Sequence, residues 1–291
     1  MSQSSVSPLV SVVMPARNAE KTIGAAISSV RAQTFENWEL LIVDDASTDT
    51  TLSIIEKFGR DEPRIRVLPL QSSGSHPSGP AATRNRALSD ARGQFVAFLD
   101  ADDYWRPDKL QCQLERMQRS GAVFCYSSYV IFEEGAQTGC LFGVPESVRF
   151  AQMLTGSVIG CSTVIYDRSV LGIQLFDDGR AELAHSPWRY FFDHIGHEDY
   201  VAWMRLLALI DERNLTPAQG VSEPLVFYRL TPHSLSSNKF KVAAYQFLNY
   251  SSMLKLRGWR LWHSFAGYVL NGVIKRSRAS SIVDLPREVL P

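Results

Sequence analysis

Short apolar runs alternate with segments of helical periodicity over residues 9–99. The first unit joins a β-branched run at Leu9–Met14 to apolar residues spaced i, i+3, i+4 and i+7, with Asn18 as the expected N-cap of that helix. Further apolar runs lie at Trp38–Val43, Ile65–Leu70 and Phe95–Leu99, with helical patterns between them. Strands that alternate with helices form right-handed βαβ crossovers, so this pattern predicts an α/β fold with a mostly parallel central sheet.

Two clusters of aspartate directly follow these apolar runs. Asp44 and Asp45 come after the second run, and Asp100–Asp103 come after the fourth. Parallel sheets bind ligands beyond the carboxyl ends of their strands, which is where we expect both clusters to lie. Because burying uncompensated carboxylates costs several kcal/mol each, the clusters indicate a site for a cation or a polyhydroxyl ligand.

The second half of the pattern is less regular. Ala122–Phe132 and Gly160–Tyr166 are predicted as strands. Phe176–Gly196 is a long stretch rich in aromatic, His and Asp residues, as expected of an acceptor-facing loop or lid. Helical spacing resumes at Glu198–Ile210, which places Asp199 in the first turn of a helix.

The composition of the 291 residues, 45% hydrophobic and 21% charged, is typical of a globular enzyme of one large domain, with or without an appendage. No apolar stretch approaches the ~20 residues of a membrane span, and the polar start Met1–Ser7 lacks Lys and Arg, so we expect a soluble or peripheral protein. Cys112, Cys125, Cys140 and Cys161 lack C-x-x-C spacing and are predicted to be reduced thiols.

The net charge of zero is the sum of two unlike parts. Residues 1–223 carry 28 Asp and Glu against 20 Lys and Arg, a net charge of −8, which argues against nucleic-acid binding. From Pro224 to Val283 there are nine Lys and Arg, interleaved with aromatic residues, and no acid. This composition suits peripheral contact with anionic lipid headgroups through residues 239–278. The alternative is a helical pair whose aromatic side packs on the main domain, since charge segregation alone identifies no partner.

Five segments resemble, in order and spacing, the successive motifs of family 2 glycosyltransferases. They are Ser11–Asn18 (SVVMPARN), Val43–Thr51 (VDDASTDTT), Thr83–Asn85 (TRN), Phe98–Trp105 (FLDADDYW) and His197–Trp203 (HEDYVAW). The resemblance implies a GT-A fold, a nucleotide-sugar donor and inversion of the anomeric carbon. A second resemblance, carried by Phe227–Lys239 and the basic, aromatic tail, is to members that build bacterial surface polysaccharides such as capsule, O-antigen of lipopolysaccharide or teichuronic acid.

On this resemblance the chain divides into three parts. Residues 1–8 are an N-terminal tail, and residues 9–230 are the GT-A domain, with a nucleotide-binding half at 9–106 and an acceptor half at 107–230. Residues 231–291 are an α-helical extension. The implied reaction moves a sugar from a UDP-sugar to a growing, lipid-linked bacterial glycan, in the cytoplasm at the inner face of the cytoplasmic membrane.

The departing nucleoside diphosphate needs a hard divalent cation. Mn²⁺ or Mg²⁺ keeps several waters and binds through one or two carboxylates together with the phosphates, and Asp100-x-Asp102 supplies such carboxylates. By resemblance, Asp102 is the direct metal ligand, and Asp100, beside Ala101, holds the ribose or a metal-bound water. His233 is a further candidate for the metal or the diphosphate. The alternative is a solvated acidic turn.

The resemblance also assigns residues to the nucleotide. Asp45 would accept a hydrogen bond from N3 of a uracil-like base, Asp44 would fix the turn, and Arg84 would face the nucleotide. The loop under the base and ribose would be shaped by Pro15, Ala16 and Asn18. The alternative for the acidic cluster is helix capping at Thr50 by Asp44, Asp45, Ser47 and Asp49.

An inverting transfer needs one base to take the proton of the acceptor hydroxyl as it attacks. The resemblance favours Asp199. Its neighbour Glu198 would point about 100° away on a helix, so only one of the two can face the sugar. His197 is a candidate for contact with the diphosphate or the metal.

Three other classes of function remain at this point. A nucleotidyltransferase would carry a Gly-rich, basic phosphate loop near its start, and Val13–Ala19 is not one. A glycosidase would use paired carboxylates without metal or nucleotide. A non-catalytic sugar-binding relative is disfavoured because the metal motif and the candidate base are both intact.

Overall fold

The computed structural model describes residues 9–70, 78–173, 175–184, 196–230, 239–278 and 281–285, without the side chains of 239–240 and 272–278. The strands in this part are β1 (Val10–Ala16), β2 (Trp38–Asp44), β3 (Ile65–Leu68), β4 (Phe95–Phe98), β5 (Tyr104–Trp105), β6 (Phe124–Glu133), β7 (Thr138–Phe142), β8 (Ser147–Val148), β9 (Ile165–Asp167), β10 (Ala218–Leu230) and β11 (Ser281–Asp284). The helices are α1 (Ile23–Arg31), α2 (Thr51–Asp61), α3 (Pro80–Asp90), α4 (Lys109–Ser120), α5 (Phe150–Met153), α6 (Arg168–Leu171), α7 (Arg180–Ala184), α8 (Glu198–Glu212), α9 (Lys239–Leu248) and α10 (Gly258–Arg278). There is also a 3₁₀ turn at Cys161–Thr163 and a π-helical turn at Asn249–Met253.

Four strands form a parallel half-sheet in the order β3-β2-β1-β4. β1 pairs with β2 from Val10 opposite Trp38 to Ala16 opposite Asp44. The near-continuous apolar sequences of these strands reflect burial on both faces of the sheet. The parallel arrangement predicted for residues 9–99 is confirmed, and it brings Asp44 and the residues that follow β4 to the same carboxyl edge.

The second half of the sheet is mixed. β9 lies antiparallel between β4 and β6 and joins the two halves. β6 pairs in parallel with β10 and antiparallel with β7, and β7 pairs with β11. β5 and β8 pair antiparallel with β10. The direction changes because β6 and β7 are joined by a tight turn, which only antiparallel neighbours can use.

The sheet separates two buried clusters. Val13 of β1 belongs to a cluster with residues of α3 and α8, onto which α10 packs. Its neighbours Val12 and Met14 belong to a cluster with residues of α1, α2 and α4. Since successive residues of a strand face opposite sides, α3, α8 and α10 cover one face and α1, α2 and α4 cover the other.

Two local predictions were wrong, and one strand was not foreseen. Asn18 is not the N-cap of α1, which begins at Ile23; instead, Asn18 Oδ1 accepts a hydrogen bond from Thr48 N at 2.8 Å. Gly160–Tyr166 is not one strand, because the 3₁₀ turn comes first and β9 begins at Ile165. The C-terminal region also contains β11, since a short exposed strand carries no helical or alternating signal.

The four cysteines are free thiols, and Cys125 and Cys161 are buried. Among the described helices, none combines the length and the apolar character that crossing a bilayer requires. The division into two halves and an extension stays a prediction, although one continuous sheet runs through the two halves and takes in β11.

Candidate active site

A tight acidic turn follows β4. Leu99 N donates to Val13 O at 3.0 Å, and Asp103 N donates to Asp100 O at 3.1 Å, which closes the turn. Ala101 and Asp103 are buried, whereas Asp100 and Asp102 are partly exposed. Asp100 and Asp102 are therefore the accessible carboxylates of the turn, at the edge where an α/β sheet binds its ligands.

Asp103 is the buried carboxylate that holds the acidic turn in place. Its carboxylate accepts hydrogen bonds from Ser162 Oγ at 2.6 Å and from Arg229 N at 3.1 Å. Ser162 Oγ also accepts from Asp100 N at 3.1 Å, and Arg229 Nε donates to Asp102 O at 3.1 Å. Burial, and then the charges of Asp102 and Asp100, raise the pKa of Asp103. The backbone of the turn is thus held by two residues from outside it.

Arg84 joins the acidic turn to the start of α8. One of its terminal nitrogens donates to Asp100 Oδ1 at 2.7 Å, and the other donates to Glu198 Oε1 at 2.6 Å. The side chain is buried, and its guanidinium carbon lies 5.3 Å from the centroid of the Phe176 ring. One buried cation therefore compensates two carboxylates from distant parts of the chain. A contact of Arg84 with the nucleotide stays a prediction.

Glu198 and Asp199 occupy different environments. Glu198 is buried and ion-paired with Arg84. Asp199 is partly exposed and makes no ion pair within the described residues; its Oδ1 accepts from Tyr200 N at 2.8 Å. Burial and the charge of Glu198 raise the pKa of Asp199, against smaller opposing effects of His197 and Arg84. An unpaired carboxylate with a raised pKa is the better proton acceptor, which favours Asp199 over Glu198.

Asp45 holds the start of α3. Its Oδ1 accepts from Ser78 N at 2.8 Å, and its Oδ2 accepts from Gly79 N at 2.9 Å. Gly79 has a φ of 88°, a left-handed conformation that favours glycine. Because each carboxylate oxygen has two lone pairs, Asp45 keeps acceptor capacity beyond these two bonds. Its contact with a uracil-like base stays a prediction.

Asp44 and Asp49 have separate roles in the loop after β2. Asp44 accepts hydrogen bonds from Ser47 N at 3.0 Å and from Ser47 Oγ, which fixes the turn. Asp49 Oδ1 accepts from Thr51 N at 3.0 Å, at the first turn of α2. Support of the start of α2 near Thr50 therefore accounts for Asp49 and not for Asp44 or Asp45.

The loop after β1 lies against the loop after β2. Ala16, which follows Pro15 in β1, accepts a hydrogen bond at its carbonyl from Asp45 N at 2.8 Å. Asn18 N donates to Ser47 Oγ at 2.9 Å, next to the Asn18–Thr48 bond. Asn18 has a φ of 46°, which Asn tolerates better than most residues. The loop after β1, which is expected to lie under the base and ribose, is thus hydrogen-bonded to the loop after β2 that contains Asp45.

Asp102 is suited to a cation. Burial, and then the charge of Asp100, raise the pKa of Asp102 to about 6, so its negative charge is poorly compensated. Among the described residues, no group of three His, Cys, Asp or Glu side chains is placed to hold a metal by itself. This donor set fits Mn²⁺ or Mg²⁺, which takes its other ligands from water and phosphate. His233 lies outside the described residues.

Comparisons with known proteins identify the family to which this chain belongs. The sequence profile described as Glycosyl transferase family 2 matches residues 11–162, more than half of the chain. The chain belongs to glycosyl transferase family 2. The matched region of this family 2 enzyme contains the acidic turn, Arg84 and Ser162, and it ends before α8.

Curated relatives extend the relationship over α8. The family 2 enzyme is 35% identical over 270 residues to the putative teichuronic acid biosynthesis glycosyltransferase TuaG of Bacillus subtilis, across 92% of this chain and 98% of TuaG. It is 37% identical over 233 residues to the UDP-Glc:alpha-D-GlcNAc-diphosphoundecaprenol beta-1,3-glucosyltransferase WfgD of Escherichia coli, across 80% of this chain and 81% of WfgD. The protein is therefore a glycosyltransferase of the type found in bacterial surface polysaccharide synthesis.

The fold is similar to that of S. aureus TarS 1–349 in complex with UDP. The TM-score is 0.57 at 24% sequence identity, and the match covers 82% of this chain and 65% of the TarS chain, just under two thirds of it. The GT-A fold class predicted from the sequence is confirmed.

Several residues of the site were missed in the sequence. Ser162 lies in a segment that was predicted as a strand, and no pattern connects it with Asp103. Arg229 reaches the acidic turn from β10, and its guanidinium also pairs with Glu134. Four consecutive residues with three carboxylates were the one available signal, because so dense a cluster requires compensating donors.

Proposed function

We propose that this family 2 enzyme transfers a sugar from a UDP-sugar, with inversion, to a lipid-linked acceptor of a bacterial polysaccharide. The observation that carries the proposal is the pair of bonds made by Arg84. Because Arg84 engages Asp100 and Glu198 together, the expected donor edge and the start of α8 are adjacent. Asp199 follows Glu198 directly, close enough for the charge of Arg84 to act on its pKa, and it makes no ion pair within the described residues.

In the proposed reaction, the acceptor hydroxyl oxygen attacks the anomeric carbon of the donor. Its proton passes to the carboxylate of Asp199, the bond between the anomeric carbon and the phosphate oxygen breaks, and UDP leaves with that electron pair. Displacement from the face opposite the leaving group inverts the anomeric carbon. Asp199 acts as general base and Glu198 as the partner of Arg84.

The donor proposal rests on the loops beyond β1 and β2. Asp45 offers the acceptor that N3 of uracil requires, and Asp44, Pro15, Ala16 and Asn18 shape the loops around it. The printed name of WfgD includes UDP-Glc, and TarS was solved with UDP, which supports a UDP-sugar as donor. Asp100 would bond the ribose or a metal-bound water.

The cofactor proposal is Mn²⁺ or Mg²⁺ held by Asp102, with His233 as a candidate second ligand. The cation would neutralise the growing charge of the diphosphate. The raised pKa of Asp102, to about 6, supports this assignment because a bound cation supplies the missing compensation.

The acceptor proposal rests on the relatives. The printed name of WfgD gives a diphosphoundecaprenol-linked sugar as its acceptor, and that of TuaG gives teichuronic acid biosynthesis. A lipid-linked acceptor would bring this enzyme to the inner face of the cytoplasmic membrane, with peripheral contact through residues 239–278.

The experiment that tests this proposal is calorimetric titration of UDP, GDP, dTDP and CDP, each with Mn²⁺ and with EDTA. We expect UDP to bind tightly with Mn²⁺ and to lose affinity in EDTA, and Asp102→Ala to abolish the metal-dependent part. Asp61→Ala on the exposed end of α2 is the matched control. Equal binding of all four nucleotides would refute the uracil assignment, and binding indifferent to EDTA would refute the metal site.

A further inference from the structure

α10 has one apolar face that packs on the main core and a second that is largely exposed among the described residues, although Trp262 of this second face contacts the Phe247 ring of α9 with centroids 5.6 Å apart. Leu261, Phe265 and Tyr268 pack on the main core. Further round the helix, the exposed fractions are 74% for Trp259, 62% for Trp262, 45% for Val269 and 62% for Leu270. At 100° per residue these four lie within about 100° of one another around the helix axis. We call these four residues the Trp face.

The Trp face is unusual for a protein surface. Single exposed apolar side chains need no explanation, but a contiguous set on one helix indicates an interaction site. The surroundings of the Trp face are basic: Lys255, Arg257 and Arg260 are exposed near the start of α10. From Pro224 to Val283 the chain contains no acidic residue, while residues 1–223 carry a net charge of −8.

We propose that the Trp face docks on the surface of an anionic lipid bilayer, with α10 lying in the plane of the interface. Tryptophan favours the headgroup level of a bilayer, and lysine and arginine beside an apolar helix face add attraction to anionic lipid. This proposal specifies which residues within 239–278 make the peripheral contact with the membrane. It rests on the proposed function only in taking the acceptor to be membrane-bound.

Docking through this face would orient the active site. Asn271 Nδ2 donates to Thr155 O at 2.7 Å, which ties α10 to the main domain. The π-helical turn before α10 is tied to the residues that precede α8, because Asn249 Nδ2 donates to Gly196 O at 3.0 Å. Tyr250 Oη donates to Leu154 O at 2.7 Å and packs beside Tyr200 of α8. The start of α8, with Asp199, therefore takes a defined height and tilt relative to the bilayer.

The test is co-sedimentation of the full chain with phosphatidylcholine vesicles, with and without phosphatidylglycerol. We expect binding to the anionic vesicles that weakens at high salt. Trp259→Ala with Trp262→Ala should lower the partition coefficient at least about tenfold, because two large side chains no longer leave water. Arg260→Glu should weaken binding to the anionic vesicles alone.

Two matched controls separate the Trp face from general surface properties. Ile282→Ser removes an apolar side chain that is 81% exposed on β11, and Arg119→Glu reverses a charge on α4, on the opposite face of the sheet. Both should bind vesicles as the wild type does. Failure of the wild type to bind, or equal binding by the double Trp variant, would overturn the proposal.

Sedimentation equilibrium without lipid tests the competing occupant, a second copy of this chain. A wild-type dimer that the double Trp variant dissociates would assign the face to self-association and overturn the lipid proposal. UDP binding and transfer to a water-soluble acceptor should be unchanged in the double Trp variant. Failure of the docking proposal is thus distinguishable from failure of the proposed function, which Asp102→Ala and Asp199→Asn test without lipid.

Discussion

Arg84 and Glu198 form a buried ion pair of 2.6 Å although 114 residues separate them in the chain. The second terminal nitrogen of Arg84 bonds Asp100, so the acidic turn and α8 share one cation. This arrangement occupies Glu198 and leaves its neighbour Asp199 unpaired within the described residues. Arg84 therefore acts on both sides of the proposed reaction. On the side of the sugar donor it fixes the carboxylate of Asp100, and on the side of the general base it holds Glu198, the first residue of α8.

Arg84→Met should destabilise the fold and abolish transfer. Removing one partner of a buried charge network leaves Asp100 and Glu198 uncompensated, at a cost of about 3 kcal/mol or more in the free energy of unfolding. Thermal and urea unfolding measure this change. Arg86→Met, on the same helix, is the matched control, because its ion pair with Asp90 is only partly buried and should contribute less than the buried network of Arg84. Equal effects of the two variants would show that Arg84 has no special structural role.

Asp199→Asn should remove transfer and spare donor binding. Loss of a general base typically lowers kcat by about 10²- to 10⁴-fold, while UDP affinity depends on other residues. Since the pKa of Asp199 is raised, wild-type kcat/KM should fall as pH decreases through a value above that of an ordinary aspartate, and Asp199→Asn should lack this acid limb.

Glu198→Gln distinguishes the two acids. Without the negative charge of Glu198, the pKa of Asp199 should decrease, so the acid limb of kcat/KM should move to lower pH. The variant should keep measurable transfer. If Glu198→Gln lost transfer while Asp199→Asn kept both transfer and the acid limb, the base would be Glu198.

The carboxyl edge could be predicted because its signals are local. The apolar runs before Asp44 and Asp100 mark buried parallel strands, and such strands bring their ends to one edge. The helical spacing that follows Asp199 predicted its place in the first turn of a helix, and the resemblance to the family then selected it as the candidate base. The motifs of the family then separated a nucleotide-sugar site from other uses of the same carboxylates.

The hydrogen bonds that hold this edge in place could not be predicted, because they join residues far apart in the sequence. Arg229 N bonds Asp103 across 126 residues, and Ser162 Oγ bonds Asp103 across 59 residues. Neither contact follows from periodicity, because the register of β10 and the 3₁₀ turn before β9 arise from packing of the whole sheet. The pairing of Arg84 with Glu198 was missed for the same reason.

Ser162→Ala should weaken metal-dependent UDP binding. The variant loses two hydrogen bonds, from Asp100 N to Ser162 Oγ and from Ser162 Oγ to Asp103, each of which contributes about 1 kcal/mol. The acidic turn should then hold Asp100 and Asp102 less rigidly, and UDP affinity with Mn²⁺ should fall about tenfold, measured by calorimetry.

Ser29→Ala is the control for this variant. Ser29 Oγ also accepts from a backbone N–H, that of Trp105, and donates to a carbonyl, that of Ala26, without contacting an aspartate of the turn. It should lower the free energy of unfolding by a similar amount and leave UDP affinity nearly unchanged. A parallel loss of UDP affinity in both variants would indicate a general loss of stability rather than positioning by Ser162.

Lys109 should make the stability of the fold depend on pH. Its ammonium is fully buried, 2.7 Å from Gln113 Oε1 and 4.0 Å from the centroid of the Trp105 ring. Burial lowers the pKa of Lys109 from 10.5 to about 7. Between these values the unfolded chain binds a proton that the folded chain does not, so stability should rise with pH across this window, by on the order of 1 kcal/mol per pH unit. Below about pH 7 both states are protonated and this contribution should be constant.

Lys109→Met should abolish this contribution to the pH dependence. The variant removes the titrating group but leaves Gln113 Oε1 without its partner, which costs about 1–3 kcal/mol at every pH. The decisive quantity is therefore the slope of the free energy of unfolding against pH, measured by urea titration at pH values between the lowered pKa of about 7 and the ordinary value of 10.5. Lys57→Met on the exposed side of α2 should keep the wild-type slope. An unchanged slope in Lys109→Met would mean that Lys109 titrates alike in the folded and unfolded chains, and that the buried ammonium stays charged well above neutral pH.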